Sequence, residues 1–252
     1  MNYQGFLMIA VIGVSIPMPA SAQCAPTVQQ LITERKLDEA RAQVEAQLQR
    51  SPRDDAAMEC MGRILLEKGK PGAAAEWLEK ATKINSQSAQ HFLWLAKALG
   101  SEGEKASKLR QPFIIRRFKA ANERALTLDP TLVDARRNLV MFYAMAPGFM
   151  GGDMNKAKQN AAEIMRLNPM RGHTANGVIA ERAGDKVTAE KEFLAAIAIA
   201  PDSIGAYQST ALFYTRQNRK REAVAMYDRM LALDPKNEDA KQGLASLNRE
   251  GK

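Results

Sequence analysis

The sequence predicts an all-α fold, built as an array of stacked antiparallel helix pairs. Similar segments return after about 34 residues, so that Ala40 is followed by Ala74 and Pro201 by Pro235. A fixed period of this length is typical of repeat proteins, whose units bury their apolar faces only against their neighbours. Aromatic residues make up only 6% of the chain, which favours close helix pairs. No alternating run of β-branched residues between turn residues predicts a strand.

The predicted array occupies 23–250 and consists of successive repeats followed by a terminal helix. The third repeat has about ten extra residues around 100–110, and the fourth has about five extra within 146–152. The last helix is rich in charged residues and would cap the end of the stack. We place six repeats and the cap at about 21–54, 55–88, 89–132, 133–169, 170–203, 204–237 and 238–249.

The repeats resemble tetratricopeptide repeats. The second repeat carries the pattern best, through Met58, Met61, Gly62, Leu65, Gly69, Ala74, Leu78 and Ala81. The resemblance implies about six helix pairs in a right-handed superhelix that binds partners and performs no catalysis. The segment 146–152, which follows Phe142 and Tyr143, resembles an exported bacterial subgroup of these proteins. The fold therefore points to a binding surface but not to its ligand.

The segment 1–22 has the pattern of a secretory signal peptide. An apolar run over 6–16 is too short for a comfortable bilayer span and is followed by Ala20-Ser21-Ala22, a small-residue cleavage site. Residues 1–5 contain no Lys or Arg, so an uncleaved anchor is the alternative. We expect cleavage before Gln23 and a periplasmic location.

The chain is basic, with a formal net charge of +8 and a pI near 9.5. The signal segment contributes no charge, so the excess belongs to the exported part. Such a charge favours an acidic protein partner or contact with a membrane surface, and it also favours solubility alone. Nucleic acid is not expected as a partner, because no aromatic residues alternate with the basic ones.

The chemistry-bearing residues do not form a catalytic or metal site in the sequence. His91 and His173 each stand alone near the start of a first helix, and no cofactor is expected. The glycines of 148–152 lack the Lys-Ser/Thr of a phosphate-binding loop. The two cysteines, Cys24 and Cys60, are expected to form a disulfide in an exported protein. The alternative is a buried Cys60 beside a free Cys24.

The extra residues of the third repeat form a basic insertion. Its basic residues are Lys105, Lys108, Arg110, Arg116 and Arg117. Pro112 should break or kink a helix there, and Phe113 begins an apolar patch beside the charges. The insertion is either a docking segment for an acidic or membrane-proximal partner, or an amphipathic helix that packs Phe113, Ile114 and Phe118 inward.

The resemblance places a binding groove on the first helices of the pairs, with a mixed but positively leaning surface. The candidate groove residues are Arg63, Lys97, Arg137, Met141, Arg171, Arg182, Gln208 and Arg216. Arginines there could bind carboxylates in two-point geometry. The sequence thus favours a protein-binding scaffold in the cell envelope; the alternative is a self-associating structural component without a groove ligand.

Overall fold

The computed structural model describes residues 24–249, and its helices confirm the all-α array of helix pairs. Six pairs stack in chain order, and a thirteenth helix follows them. The first helices of the pairs are α1 (Pro26–Thr33), α3 (Asp55–Glu67), α5 (Ala89–Lys105), α7 (Val133–Met145), α9 (Pro169–Arg182) and α11 (Ile204–Arg216). The second helices are α2 (Leu37–Arg50), α4 (Pro71–Ile84), α6 (Gln111–Leu128), α8 (Met154–Leu167), α10 (Lys186–Ile199) and α12 (Lys220–Leu233), and α13 is Glu238–Arg249. The predicted signal peptide lies outside the described residues.

Side-chain caps fix where most of the first helices begin. The Asp54 carboxylate accepts the backbone N–H of Ala57, and the Ser88 hydroxyl accepts that of His91. Asn168 and Ser203 cap α9 and α11 in the same way. Each cap satisfies a backbone donor that the helix itself leaves unpaired.

The turns inside four of the pairs share one backbone conformation. Arg35, Gly69, Gly184 and Asn218 all have left-handed φ angles, of 59°, 68°, 83° and 57°. These residues close the pairs one, two, five and six. Glycine adopts this conformation without strain, whereas Arg35 and Asn218 adopt it despite a Cβ atom. Pairs three and four turn differently, because they carry the extra residues.

Close helix packing within a pair depends on small residues. A Cβ atom built on Gly62 would lie 2.5 Å from Leu78 Cγ, and one on Gly177 would lie 2.9 Å from a ring carbon of Phe193. Leu78 and Phe193 are themselves fully buried. The glycines therefore set the distance between the two helices of pairs two and five.

The insertion of the third repeat lengthens helices that already exist. Helices α5 and α6 have 17 and 18 residues, against 13 or 14 in most others. Pro112 lies in the first turn of α6, where its missing N–H removes no helical hydrogen bond. It therefore separates α5 from α6 instead of kinking a helix. Within 24–249 no helix is both long and apolar enough to span a bilayer.

Candidate functional site

The first helices form the inner face of the array. Each one contacts the first helix of the next pair, from α1 to α11, whereas second helices approach one another less closely. An array whose first helices lie closer together must curve toward them. We call the surface of α1, α3, α5, α7, α9 and α11 the inner face.

Four basic residues come together on this face, one from each of α3, α5, α7 and α9. We call Arg63, Lys97, Arg137 and Arg171 the cationic cluster. Burial, followed by the charges of Arg137, Arg63 and Arg171, lowers the pKa of Lys97, although Asp134 opposes this shift. The three arginines are therefore near enough to Lys97 to repel its charged form.

The members of the cationic cluster differ in how their charges are balanced. Arg171 Nη1 donates to Asp134 Oδ1 at 2.8 Å, and Arg63 Nη1 lies 3.6 Å from Glu59 Oε1. Among the described residues, Lys97 and Arg137 form no ion pair. Two positive charges on the inner face thus have no direct ion pair in this part of the chain, although Asp134 acts on Lys97 from a greater distance.

Trp94 lies beside the cationic cluster, and two cations lie over its ring. The Arg63 guanidinium carbon is 4.6 Å from the ring centre, and Lys97 Nζ is 4.3 Å from it. Trp94 Nε1 and Arg63 Nε are buried and have no hydrogen-bond acceptor within the described part of the chain. Both residues border a cleft of about 390 Å³ that also contains Gln29 and Glu67. The cleft thus offers cations, an aromatic ring and unused donors in one place.

The predicted groove residues of the last repeats link neighbouring pairs. Arg216 binds both carboxylate oxygens of Glu181, through Nε at 2.8 Å and Nη2 at 2.7 Å. Arg182 Nε donates to the Ala144 carbonyl at 3.1 Å, and Gln208 donates to an Asp239 carboxylate oxygen at 3.0 Å. These side chains contribute to the stacking of repeats, so they are less available to a ligand than Lys97 and Arg137.

Met141 lies in an apolar cleft between the third and fourth repeats. The cleft has a volume of about 740 Å³ and is also lined by Phe118, Phe142 and Met145. Met141 and Met145 remain about half exposed. The cleft is open, and it joins the inner face to the extra residues of both repeats.

The basic insertion is folded, and its charges are divided between partners and solvent. Lys105 Nζ donates to the Gly69 carbonyl at 3.2 Å, Arg110 Nη2 contacts Glu102 at 3.1 Å, and Arg117 pairs with Glu79. Lys108 and Arg116 are exposed. Ile114 packs inward, as the amphipathic-helix alternative predicted, whereas Phe113 is 63% exposed and does not pack inward as that alternative predicted. Phe113 instead lies under the Arg117 guanidinium, 5.3 Å from its carbon.

A buried cluster around His91 was not expected from the sequence. His91 Nδ1 lies 2.7 Å from Glu59 Oε2, and Nε2 lies 2.8 Å from Asp55 Oδ2. Burial opposes the charged imidazole, but the hydrogen bonds to Glu59 and Asp55 outweigh it and raise the pKa of His91. Glu59, which the repeat pattern placed on the inner face, is only 2% exposed and belongs to this cluster. The sequence signal for this cluster was the pair Asp55 and Glu59, about one repeat before His91.

The other chemistry-bearing residues serve structural contacts. His173 Nδ1 pairs with Glu192 at 2.7 Å. Cys24 and Cys60 are joined by a disulfide, with Cα atoms 5.4 Å apart, which ties the start of α1 to α3. Over residues 24–249, no group of three or more His, Cys, Asp or Glu side chains is arranged to hold a metal ion.

The fold and the inner face define a class, the helix-pair solenoids. Residues 29–89 match the model of the tetratricopeptide repeat family. The remaining pairs have the same helix-pair architecture, so the described part of the chain has the fold of a tetratricopeptide-repeat solenoid. Proteins of this kind generally mediate protein–protein interactions and are typically not catalytic.

Comparisons with solved structures support the fold. A thermophilic tetratricopeptide-repeat protein of Thermus thermophilus superposes with a TM-score of 0.62 at 21% identity, over 77% of this chain and 99% of that one. A tetratricopeptide-repeat protein from Parabacteroides merdae ATCC 43184 has a TM-score of 0.57 at 14% identity, over 88% of this chain and 96% of that one. At these identities the likeness concerns the fold alone.

One curated relative is similar in sequence over part of the chain. It is the "Cellulose synthase operon protein C" of Xanthomonas axonopodis pv. citri (strain 306), 38% identical over 100 residues. The matched segment is 39% of this chain and only 6% of that protein. The chain therefore spans a small part of the length of this relative.

Proposed function

We propose that the protein is an exported, non-catalytic scaffold whose inner face binds a protein segment rich in carboxylates. The observation that carries the proposal is the cationic cluster, in which Lys97 and Arg137 have no acidic partner among the described residues. Partial burial and repulsion from Arg137, Arg63 and Arg171 destabilise the charged form of Lys97 and lower its pKa, and Asp134 offsets this only in part. A carboxylate from a partner would relieve this repulsion.

The neighbourhood of Lys97 suits an extended acidic peptide. Hydrogen bonds between a charged donor and a carboxylate contribute about 1.5–3 kcal/mol each. Trp94 adds an apolar surface at the same place, next to the Arg63 guanidinium. Binding at several repeats would add such contacts along the array.

Export is proposed from two separate observations. The segment 1–22 has the pattern of a signal peptide, and a disulfide persists best in an oxidising compartment. An envelope scaffold is consistent with both.

The test is capture of partners from a native envelope extract by the tagged protein and its variants. Lys97→Glu/Arg137→Glu reverses the two unbalanced charges of the inner face. We expect it to reduce the recovery of the main partner at least tenfold, because each lost ion pair becomes a repulsion.

The matched control is Lys158→Glu/Lys191→Glu, which makes the same change in charge on exposed positions of second helices. It should recover the partner as the parent does. Equal losses in both variants would refute the groove, since they would mean that only net charge matters. Recovery of the tagged protein alone, or of its multimers, would favour the structural alternative.

A further inference from the structure

The most exposed apolar side chains of the protein gather at one kind of turn. Leu109, Phe149 and Val187 are 94%, 90% and 81% exposed, and Phe113 follows at 63%. No other large apolar side chain in the described residues exceeds 51%. All four lie in, or within three residues of, the turn that joins the two helices of pair three, four or five. Chance would scatter such residues over the surface.

These turns lie side by side along one edge of the array. Helices within each pair are antiparallel, so every turn inside a pair falls at the same end. Lys105, at the end of α5, donates to the carbonyl of Gly69 in the turn of pair two, and Lys68 in that turn pairs with Asp38 of pair one. Arg182, at the end of α9, reaches Ala144 at the end of α7. We call 34–36, 68–70, 106–110, 146–153, 183–185 and 217–219 together the turn edge.

The turn edge is basic, and the opposite edge is acidic. The turn edge contains seven basic and three acidic residues, a net charge of +4. The turns between pairs, at 51–54, 85–88, 129–132, 168, 200–203 and 234–237, contain two basic and four acidic residues, a net charge of −2. The two edges of the molecule therefore differ in net charge. The overall excess of basic residues alone would not produce this difference.

The three acidic residues of the turn edge are already engaged. Asp153 and Asp185 accept backbone N–H groups at the starts of α8 and α10, and Glu34 pairs with Lys36 at 2.8 Å. In contrast, Lys70 and Lys108 are exposed and form no ion pair within residues 24–249. Four of the seven basic residues are paired as well: Lys36 with Glu34, Lys68 with Asp38, Arg110 with Glu102 and Arg219 with Glu190. The charged side chains of this edge without such a contact are therefore basic.

Two of the exposed apolar side chains, at or just after a turn of this edge, have basic neighbours in the sequence. Leu109 lies between Lys108 and Arg110, and Val187 directly follows Lys186. Protruding apolar side chains flanked by Lys and Arg are the combination that binds the interface of an anionic bilayer. The side chains of Leu109 and Phe149 are almost fully exposed. Such side chains enter a fluid membrane interface more readily than a protein pocket of fixed shape.

We propose that the turn edge docks on the surface of a membrane containing anionic phospholipids. Leu109, Phe149 and Val187 enter the headgroup region, and the basic residues contact lipid phosphates. The inner face is then held beside the bilayer with its groove free. This surface is separate from the groove, so either site can be lost without the other.

The first experiment measures partition onto sedimented vesicles. Vesicles of phosphatidylglycerol mixed with phosphatidylcholine are compared with vesicles of phosphatidylcholine alone, using the chain recovered from expression of the full sequence. We expect salt-sensitive binding to the anionic vesicles only. Lys70→Glu/Lys108→Glu should weaken it about tenfold or more, because each basic residue near an anionic surface contributes separately. Arg53→Glu/Lys236→Glu makes the same charge change on the opposite edge and should leave binding within about twofold.

The second experiment locates the contact. Phe149→Trp places a fluorophore at an apolar tip, and Ile199→Trp places one at an exposed position of the opposite edge. The emission of Phe149→Trp, relative to the parent, should shift to the blue on addition of anionic vesicles, while that of Ile199→Trp should not. Equal responses of the two tryptophans, or equal losses in the two charge variants, would overturn the proposal. So would loss of an acidic protein partner in Lys70→Glu/Lys108→Glu with vesicle binding unchanged.

Discussion

His91 shows how single residues stabilise the stack. Both of its ring nitrogens face carboxylates, from Glu59 and Asp55, and its side chain is 1% exposed. A neutral imidazole can donate from only one nitrogen, so both carboxylates accept a hydrogen bond from the ring only when it is protonated. The three residues join α3 to α5. The charged form of His91 is therefore part of the contact between pairs two and three.

The raised pKa of His91 predicts how stability depends on pH. A group whose pKa is higher in the folded than in the unfolded state stabilises fully below the unfolded value, here 6.5, and loses this effect as pH rises through the folded pKa. The free energy of unfolding should therefore fall as pH rises above 6.5, by about 1.4 kcal/mol for each pH unit that separates the two pKa values. Urea denaturation at several pH values measures this slope.

Variants of the buried cluster around His91 separate the titration of His91 from the titration of other groups. His91→Gln should flatten the slope and cost about 3 kcal/mol near neutral pH, because it leaves the Glu59 carboxylate buried without a cation of its own on that side. Glu59→Gln keeps the shape of the side chain but removes one charge. Its free energy of unfolding should therefore depend on pH less steeply than that of the parent and more steeply than that of His91→Gln. A parent slope that is retained in His91→Gln would show that another group titrates.

At the scale of elements, the spacing of the two helices in a pair depends on what lies between them. Gly62 on α3 faces Leu78 on α4, and Gly177 on α9 faces Phe193 on α10. The same spacing along the chain recurs at Tyr227 and Gly243, where α13 packs on α12. A small residue opposite a large one thus fixes helix contacts along the array.

Gly62→Ala tests the close approach in pair two. The new Cβ atom would lie 2.5 Å from Leu78 Cγ, so one helix must move. Overpacking of this kind costs about 1–3 kcal/mol, which should exceed the gain in helix propensity. Gly205→Ala is the control, because its Cβ atom meets nothing nearer than Ser203 Oγ at 3.9 Å. Chemical denaturation should show a loss for the first and no loss for the second; a Gly62→Ala protein as stable as the parent would contradict the packing account.

The elements are also where the sequence was most informative. The regular return of similar segments and the glycine at position 62 are local signals, and local signals predict helices and their close contacts well. The sequence left two alternatives for Phe113, because helical spacing alone does not say which side of the lengthened α6 the neighbouring helices cover. The burial of Glu59 depends on His91, which lies in the next repeat and which no helical spacing links to it.

The whole molecule is held by contacts between neighbouring pairs. Ion pairs such as Arg216 with Glu181 and Arg171 with Asp134 join residues about one repeat apart, and the disulfide ties pair one to pair two. In such an array stability is nearly a sum of repeats and their interfaces. The charged residues and the exposed apolar residues, in contrast, are distributed unevenly over the whole molecule. The inner face concentrates unbalanced cations, and the turn edge concentrates basic and apolar tips.

The most direct test of the central claim follows Trp94 fluorescence while an acidic peptide is added. Trp94 is one of two tryptophans, so the Trp77→Phe background leaves it as the only reporter, beside Arg63 and Lys97. We predict a saturable change in emission with a Glu-rich peptide, weakened by salt, none with a Gln-rich peptide of equal length, and none with either in Lys97→Glu/Arg137→Glu. Equal responses to both peptides, or a Glu-rich response retained in the variant, would contradict a groove that recognises carboxylates.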